Sequence, residues 1–232
     1  MTSQASGEQI AHRPLHPAMT DFTWGEQLME LIAIDLEGSG AQDRDSEAIL
    51  EIALVPIINW QPDMASAYAT LINPRRSIPQ RPWISPGLTS AVLRTAPLLP
   101  QVEPELARRI NGKHLVGHNI GVDWRLLHRR CPDIKPAGLI DTLRLARTLN
   151  LGVKNGLTAI IRHFDLTGDV TKLATASQPH RALWDSVAVA LLLPVLARTA
   201  APADETISAF LATVSAPASA TAISGQQDGL FD

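Results

Sequence analysis

The sequence predicts an α/β domain built on a mixed sheet. Three strand-like stretches come first: an apolar run at 31–37, a stretch rich in Ile, Leu and Val at 48–60, and a third at 65–72. Two short strands, at 114–117 and 139–141, follow and are each succeeded by a helix. Of the 232 residues, 45% are hydrophobic and 19% are charged, the balance of a globular chain with one sizeable core. A meander followed by strand–helix alternation favours a sheet with both antiparallel and parallel pairs.

The elements are delimited by local signals. Gly38, Ser39 and Gly40 end the first strand with a turn, and a proline-rich irregular stretch at 73–100 separates the meander from the rest. Asn119 is a good N-cap for the helix that follows the fourth strand. The predicted helices are Glu103–Ile110, 120–130, Thr142–Leu149, Leu157–His163 and Arg181–Arg198.

Composition excludes several classes of protein. The single cysteine, Cys131, forbids an intrachain disulfide and a cysteine-based zinc cage. The longest apolar run, 187–197, is too short to span a bilayer, and residues 1–20 lack the apolar segment of a signal peptide. A formal net charge of −3 disfavours a general basic nucleic-acid binder but leaves room for a local basic site. We therefore expect a soluble protein in a reducing, cytoplasmic setting, with no membrane partner.

The charge pattern predicts four segments. Residues 1–27 are polar without an apolar period and are expected to form a flexible lead. Residues 28–198 form the domain. After Arg198 the chain has no Lys or Arg and is rich in Ala, Ser and Thr, which predicts a flexible linker at 199–225 with one or two helical turns at 207–214. A terminal peptide at 226–232 completes the chain.

Two carboxylates lie close together in the first strand. Asp35 and Glu37 are two residues apart, so their side chains share one face of the strand. Charges on a solvated sheet face are the ordinary explanation, but a strand as apolar as this one is usually covered on both sides. The two carboxylates would repel each other there, and a cation would relieve the repulsion.

Two further aspartates occur on the inward-facing sides of predicted helices. Asp185 falls on the apolar stripe of the last long helix, where a carboxylate is costly unless it is paired or binds metal. The structural alternative is an ion pair with Arg144 or Arg147. Asp123 lies one turn into the helix that follows Asn119, and its structural alternative is interaction with the helix dipole.

His180 precedes Asp185 by five residues and lies just before the same helix. A histidine at a helix start is most often an ordinary surface residue. Beside several carboxylates and a cation it becomes a candidate general base that activates water. Oxygen ligands suit Mg²⁺ or Mn²⁺ rather than zinc, and two such ions can promote phosphoryl displacement.

Three motifs occur in the order and spacing of a known family. They are IDLE at 34–37, HNIGVD at 118–123 and HRALWDS at 180–186. Over about residues 30–197 the chain resembles the DEDDh, or DnaQ-like, 3′–5′ exonucleases, which include the epsilon proofreading subunit of DNA polymerase III, exonuclease X and RNase T. Gly38 replaces the usual Thr after the first motif, and Val122 replaces the usual Phe before Asp123.

The resemblance implies a ribonuclease H-like fold, a five-stranded mixed sheet flanked by helices. It implies that two Mg²⁺ or Mn²⁺ ions are held by four carboxylates, those of Asp35, Glu37, Asp123 and Asp185. His180 would deprotonate the attacking water, and a nucleoside 5′-monophosphate would leave the 3′ end of DNA, in replication or repair. Gly38, Ser39 and Asn119 would contact the substrate, and Gly38, without a Cβ, would let the backbone approach a sugar.

Two other functions stay open at this point. An RNA-trimming exonuclease would use the same site chemistry and differ only near the 2′ position. A catalytically silent binding module on the same fold would be favoured by loss of a ligand, whereas all five key residues are present.

The terminal peptide resembles the sliding-clamp-binding motif of bacterial replication and repair proteins. Gln227 is followed three and four residues later by Leu230 and Phe231. The two apolar side chains would fill a pocket while Gln227 bonds at its edge, and the linker would let the peptide dock freely. Chance is the alternative explanation for so short a motif. A polymerase is a second possible partner.

Overall fold

A computed structural model of the chain describes residues 27–40, 46–79 and 81–218. The described part contains a mixed sheet of six strands in the order β3-β2-β1-β5-β6, with β4 pairing beside β3 on β2. The strands are β1 Leu31–Gly38, β2 Ile49–Ile58, β3 Gln61–Pro62, β4 Tyr68–Leu71, β5 His114–Gly117 and β6 Gly138–Asp141. The expected mixed sheet and ribonuclease H-like architecture are confirmed, and the two-residue β3 is the addition to the five expected strands.

Strand directions place the functional segments at one edge of the sheet. β1 pairs antiparallel with β2, whereas β1, β5 and β6 run parallel to one another. The carboxyl ends of those three strands therefore meet at a common edge. Glu37, His118 and Asp141 lie at these strand ends, so motifs distant in sequence converge there.

Eight helices of the described chain cover the two faces of the sheet. They are α1 Ser90–Leu93, α2 Leu99–Ile110, α3 Ile120–Arg130, α4 Thr142–Leu149, α5 Leu157–His163, α6 Thr167–Leu173, α7 Ala182–Ala200 and α8 Ile207–Val214. Leu31 and Ala33 of β1 face a core built with α4 to α8. Ile32 and Ile34 face the opposite core, built with α2 and α3. The period of two along β1 thus covers both faces with apolar contacts.

Helix α7 is the centre of the larger core. It is buried almost around its whole circumference, and Trp184 packs inward near its start. Among the described helices it alone is long and apolar enough to cross a membrane, yet 72% of its apolar stretch is buried inside the domain. Burial between the sheet and neighbouring helices accounts for the apolar composition of α7.

Some predicted bounds differ from the structure. α2 begins at Leu99, four residues before the expected start, because Pro100 fits a first turn and the Gln101 side chain accepts a 2.7 Å bond from the amide of Leu98. The short helices α1 and α6 were not expected. α6 contains Gly168 and β-branched residues of low helix propensity, and it is supported by burial of Val170.

The predicted flexible linker at 199–225 is wrong over residues 199–218, whereas the helical turns expected at 207–214 are confirmed as helix α8. Helix α8 buries Ile207 and Leu211 in the core that contains α7. Beyond it, Ala216 exchanges two 2.8 Å main-chain bonds with Leu139 at the edge of β6. Trp124 Nε1 donates to the carbonyl of Ala218 at 3.1 Å. The Ala-, Ser- and Thr-rich composition of this segment did not predict these contacts, because each joins it to a part of the chain that is distant in sequence.

Gln27, placed in the predicted lead, also belongs to the domain. Its side-chain amide donates to the carbonyls of Met29 and Ile57 and accepts from the amide of Trp60 at 3.1 Å. The rest of the lead and residues 219–232, including Gln227, Leu230 and Phe231, lie outside the described residues.

Candidate metal centre

Three of the four predicted carboxylates converge in space. Asp35 and Glu37 lie at the carboxyl end of β1, and Asp185 lies in the first turn of α7. One carboxylate oxygen from each residue falls within 4.8 Å of the other two. Packing of α7 on β1 and β2 brings together residues that are 150 positions apart in sequence.

Asp123 lies next to this cluster and is oriented by β1. It is in the first turn of α3, is only 8% exposed, and its Oδ1 accepts a hydrogen bond from the amide of Leu36 at 3.0 Å. Leu36 lies between Asp35 and Glu37, so this bond holds Asp123 at the level of both. The fourth predicted carboxylate thus adjoins the other three.

The cluster is electrostatically strained without a cation. Burial and then the charges of Asp123, Asp185 and Glu37 raise the pKa of Asp35 well above its ordinary value. Burial raises the pKa of Glu37 to about 8, and it raises the pKa of both Asp123 and Asp185 to about 7. Four acids that resist ionisation in one place need a positive partner to carry charge at neutral pH.

Arg181, the arginine of the third motif, directs its ion pair to Glu51 rather than to this cluster. Its guanidinium donates from Nε and Nη2 to both oxygens of Glu51, at 2.7 and 2.8 Å. Glu51 is directly opposite Glu37 in the β1–β2 register and is 6% exposed. It also accepts from the amide of Ala182 at 3.3 Å, and so caps the start of α7 from the sheet.

A loop before α1 covers one side of the cluster. The buried hydroxyl of Ser85 donates to Oε2 of Glu37, a contact that opposes the rise in the Glu37 pKa. The next carbonyl, that of Pro86, accepts from Arg181 Nη1 at 3.4 Å. The loop is therefore fastened both to a predicted ligand and to the arginine before α7.

His180 borders the cluster. It is exposed, adopts a left-handed backbone with φ of 65°, and its amide lies 3.4 Å from Oδ1 of Asp185. A left-handed residue two positions before α7 turns the chain sharply into the helix. Its general-base role stays a prediction that this position supports.

The second motif is held mainly by structural bonds. His118 Nε2 lies 2.7 Å from the carbonyl of Asn155, so this nitrogen carries a hydrogen, and Nδ1 lies 3.0 Å from the Thr142 hydroxyl. Burial lowers the pKa of His118, which keeps the ring neutral. Asp141 Oδ1 accepts from the amides of Asn119 and Leu143 at 3.0 and 2.9 Å. These bonds fix the carboxyl ends of β5 and β6 together.

Asn119 is not the side-chain cap that its position predicts. It precedes α3 with a left-handed backbone, φ 70°, and its side chain makes no capping bond. Asn tolerates this conformation better than most residues, which accounts for its presence. Contact between Asn119 and a substrate stays a prediction.

Gly38 and Ser39 are enclosed by protein. A Cβ at Gly38 would lie 2.8 Å from Oε1 of Glu47 and 3.3 Å from Leu126, so protein atoms already explain the missing side chain. Ser39 is buried, and its hydroxyl accepts from the amide of Ala48 at 3.0 Å. Substrate contact at Ser39, and at Gly38 through its main-chain atoms, stays a prediction.

Sequence reasoning missed Glu51, Ser85 and Asp141 as residues that shape the site. Glu51 had a usable signal, because a carboxylate inside the apolar run of β2 requires a partner. Ser85 and Asp141 had none, since a serine in a proline-rich loop and an aspartate before a helix are both common.

The donor set fits a hard divalent cation. The clustered ligands are carboxylate oxygens, which suit Mg²⁺ and Mn²⁺ better than zinc. Burial, and then repulsion between the carboxylates, raises the pKa of Asp35 and Glu37, so these groups ionise together more easily when a cation is bound between them. A carboxylate cluster that serves only structure would be expected to pair with the adjacent arginine.

A family comparison agrees with this geometry. The model of the RNase T exonuclease family matches residues 32–193, a span that includes all three motifs. The chain belongs to this exonuclease family. The DnaQ-like resemblance drawn from the three motifs is thereby confirmed.

Relatives of the exonuclease domain include enzymes named for both nucleic acids. The chain is 27% identical over 167 residues to the DNA polymerase III subunit epsilon of Rickettsia conorii, and the match covers 68% of this chain and 70% of the relative. It is 39% identical over 97 residues to RNA exonuclease 4 of Mycosarcoma maydis, covering 41% of this chain and 24% of the relative. The chain spans only 14–26% of the length of several other curated relatives.

A solved structure shows the same fold. Exonuclease X in complex with 5′ overhanging duplex DNA superposes with a TM-score of 0.53 at 27% identity. The match covers 78% of this chain and 99% of exonuclease X. The exonuclease domain therefore has nearly the full extent of that enzyme.

Proposed function

We propose that the chain is a metal-dependent 3′–5′ exonuclease that hydrolyses DNA to nucleoside 5′-monophosphates. The observation that carries this proposal is the convergence of Asp35, Glu37 and Asp185 beside Asp123 at the end of the sheet. Membership of the exonuclease family and similarity to subunit epsilon and exonuclease X support it.

Asp35, Glu37, Asp123 and Asp185 would hold two Mg²⁺ or Mn²⁺ ions. When bound, such ions stabilise the attacking and leaving oxygens of a phosphoryl displacement. The raised pKa of each carboxylate supports this assignment, because a bound cation offsets both the cost of burying a charge and the repulsion between neighbouring carboxylates.

The imidazole of His180 would accept a proton from the water that attacks the terminal phosphorus. The bond from phosphorus to the 3′-oxygen of the preceding nucleotide breaks, and that oxygen takes a proton from solvent. The products are a nucleoside 5′-monophosphate and a strand one nucleotide shorter. Arg181 and Glu51 would position this chemistry by fixing the start of α7, which carries Asp185.

RNA is the second candidate substrate. The observation that favours it is the 39% identity to RNA exonuclease 4, the highest identity among the relatives described above. The same carboxylates would serve either sugar, so the alternative changes the substrate and keeps the mechanism.

Matched single strands test the proposal. DNA and RNA of one sequence, labelled at the 5′ end, would be digested with Mn²⁺ or with EDTA. We expect a ladder of strands shortened from the 3′ end, release of 5′-monophosphates, faster loss of DNA than of RNA, and no digestion in EDTA. Faster loss of RNA would select the second candidate, and internal cleavage or inert strands would refute the function.

Partners and place of action are part of the same proposal. The peptide at 227–231 supports binding to a bacterial sliding clamp. Similarity to subunit epsilon supports a role in DNA replication or repair in the cytoplasm, with a DNA polymerase as a partner. These proposals are independent of the chemistry at Asp35 and Asp185.

A further inference from the structure

Two adjoining cavities form an arginine-lined groove beside the sheet. Their volumes are about 400 and 310 Å³, and both are bordered by the segment 73–76. Arg75, Arg76, Arg94 and Arg130 line them, and we call this feature the arginine groove. No acidic side chain occurs among its described lining residues, in a chain whose formal net charge is −3. The groove is thus a local concentration of positive charge.

Asn73 holds the two walls of the groove together. Its Nδ2 donates to the carbonyl of Arg94 and its Oδ1 accepts from the amide of Arg75, both at 2.9 Å. Arg75 has a φ of 58°, which a residue with a side chain rarely adopts. A strained position maintained by its neighbours is a reason to look for function.

The arginine groove is continuous with the turn that follows the metal ligands. Arg76 Nη2 lies 3.3 Å from the hydroxyl of Ser39, which is two residues, or about 7 Å of strand, beyond Glu37. On the other side, the guanidinium of Arg130 donates to the carbonyl of Glu47 at 2.8 Å from Nε. Arg130 ends α3, the helix that carries Asp123.

The chemistry of the groove matches a phosphodiester backbone. Guanidinium groups bind phosphate oxygens through paired N–H donors, and the half-buried Leu98 and Leu99 give the larger cavity an apolar portion on which a sugar can pack. The four clustered carboxylates repel the phosphates of a nucleic-acid strand, so binding beside them requires positively charged side chains. We propose that the arginine groove binds the backbone of the nucleic acid whose 3′ end occupies the carboxylate site, a proposal that rests on the proposed function.

The backbone can belong to the strand being shortened or to its complement in a duplex. The test uses the double variant Arg75→Gln with Arg94→Gln. It spares Arg76 and Arg130, whose side chains hold other segments, and Asn73 binds only main-chain atoms of the two exchanged residues. The matched control exchanges Arg162 and Lys172, exposed on the opposite helical layer, for Gln.

Binding of fluorescent DNA would be measured in EDTA against salt concentration, with a single strand and with a duplex that has a recessed 3′ end. Loss of two phosphate contacts should reduce the slope of log K against log salt by about 1.4 for the single strand or about 1.8 for the duplex. A reduction with both probes assigns the groove to the shortened strand, and a reduction with the duplex alone assigns it to the complement.

Unchanged slopes with both probes, or an equal reduction in the control variant, would overturn the proposal. The variant Arg75→Lys with Arg94→Lys retains both charges and should keep most of the wild-type slope, which separates charge from misfolding. Digestion of a 5′-labelled single strand by the wild-type chain with Mn²⁺ tests the proposed function separately. If the strand stays intact, the function fails while binding in EDTA still decides the groove.

Discussion

Glu51 binds the guanidinium of Arg181 through both carboxylate oxygens, at 2.7 and 2.8 Å. The pair joins β2 to the residue before α7, and Glu51 also accepts from the first amide of that helix. Because α7 carries Asp185 and β2 pairs with the strand that carries Glu37, the Glu51–Arg181 pair helps to position the two parts of the candidate metal centre.

Arg181→Gln should destabilise the domain and reduce activity. It leaves Glu51, which is 6% exposed, without its charged partner and opposite Glu37. Leaving a buried charge unpaired costs about 3 kcal/mol or more. Urea unfolding should show this loss, and turnover at saturating Mn²⁺ should fall.

The double variant Glu51→Leu with Arg181→Leu is the control for that prediction. It removes both charges and should recover most of the stability that Arg181→Gln loses. Activity should stay low, because nothing then ties the start of α7 to β2. Full activity in the double variant would show that the pair serves stability alone.

Asp185→Asn and Asp35→Ala should each abolish cleavage while the domain stays folded. Each change removes a predicted ligand from the three-residue cluster. Because the cluster is repulsive without ions, the melting temperature in EDTA should rise or stay unchanged. Gel digestion with Mn²⁺ and thermal melting measure the two effects, with Asp169→Asn as the control. Cleavage at the wild-type rate by either folded variant would refute the assignment of that residue as a metal ligand.

Stability of the metal-free protein should fall as pH rises from about 5 to 8. The pKa of Glu37 is raised from 4.5 to about 8, and the pKa of both Asp123 and Asp185 is raised from 3.8 to about 7. In this window the folded protein holds protons that the unfolded chain has released. The free energy of unfolding therefore decreases with each proton lost from the cluster.

Mn²⁺ should counteract that decrease. Cations bind the ionised carboxylates, so the gain in melting temperature over EDTA should be larger at pH 8 than at pH 6. Thermal melts across the window, with and without Mn²⁺, measure it. A melting temperature in EDTA that climbs steadily toward pH 8 would contradict the raised pKa values.

His180→Ala should reduce turnover by about 10²–10⁴, the usual contribution of a general base. The side chain is exposed and caps no helix through its ring, so the fold and Mn²⁺ binding should be retained. Single-turnover cleavage and calorimetric Mn²⁺ titration measure the two properties. His163→Ala, another exposed histidine, serves as the control. Turnover within a factor of two of the wild type would refute the role.

Removal of residues 226–232 should leave hydrolysis of a short oligonucleotide unchanged and abolish binding to the organism's sliding clamp. Leu230 and Phe231 would supply the apolar contacts and Gln227 the polar one. Surface plasmon resonance against immobilised clamp measures binding, and an Ala substitution at Ile223, outside the motif, is the control. A truncated chain that binds as tightly as the full chain would show that the peptide was misread.

The local pattern of the sequence was enough for the elements of the sheet and for the long helices. α4 and α5 occur at their predicted bounds, because each combines an apolar stripe with clear end signals. α6 could not be predicted, because its own residues favour no structure strongly and neighbouring elements stabilise it. The helical turns at 207–214 were predicted, but their packing against the domain was not, because the contacts come from elements far away in the sequence.

The sequence by itself determined which residues are the candidates for the chemistry. Asp35, Glu37, Asp123, Asp185 and His180 are marked by type and spacing, since buried carboxylates in apolar surroundings need an explanation wherever they fold. Only the tertiary structure decided how they are held. Three features join residues that are far apart in the chain. They are the hydrogen bond from Leu36 to Asp123, the ion pair between Glu51 and Arg181, and the arginine groove. Such contacts depend on strand register and helix docking, which no local pattern encodes.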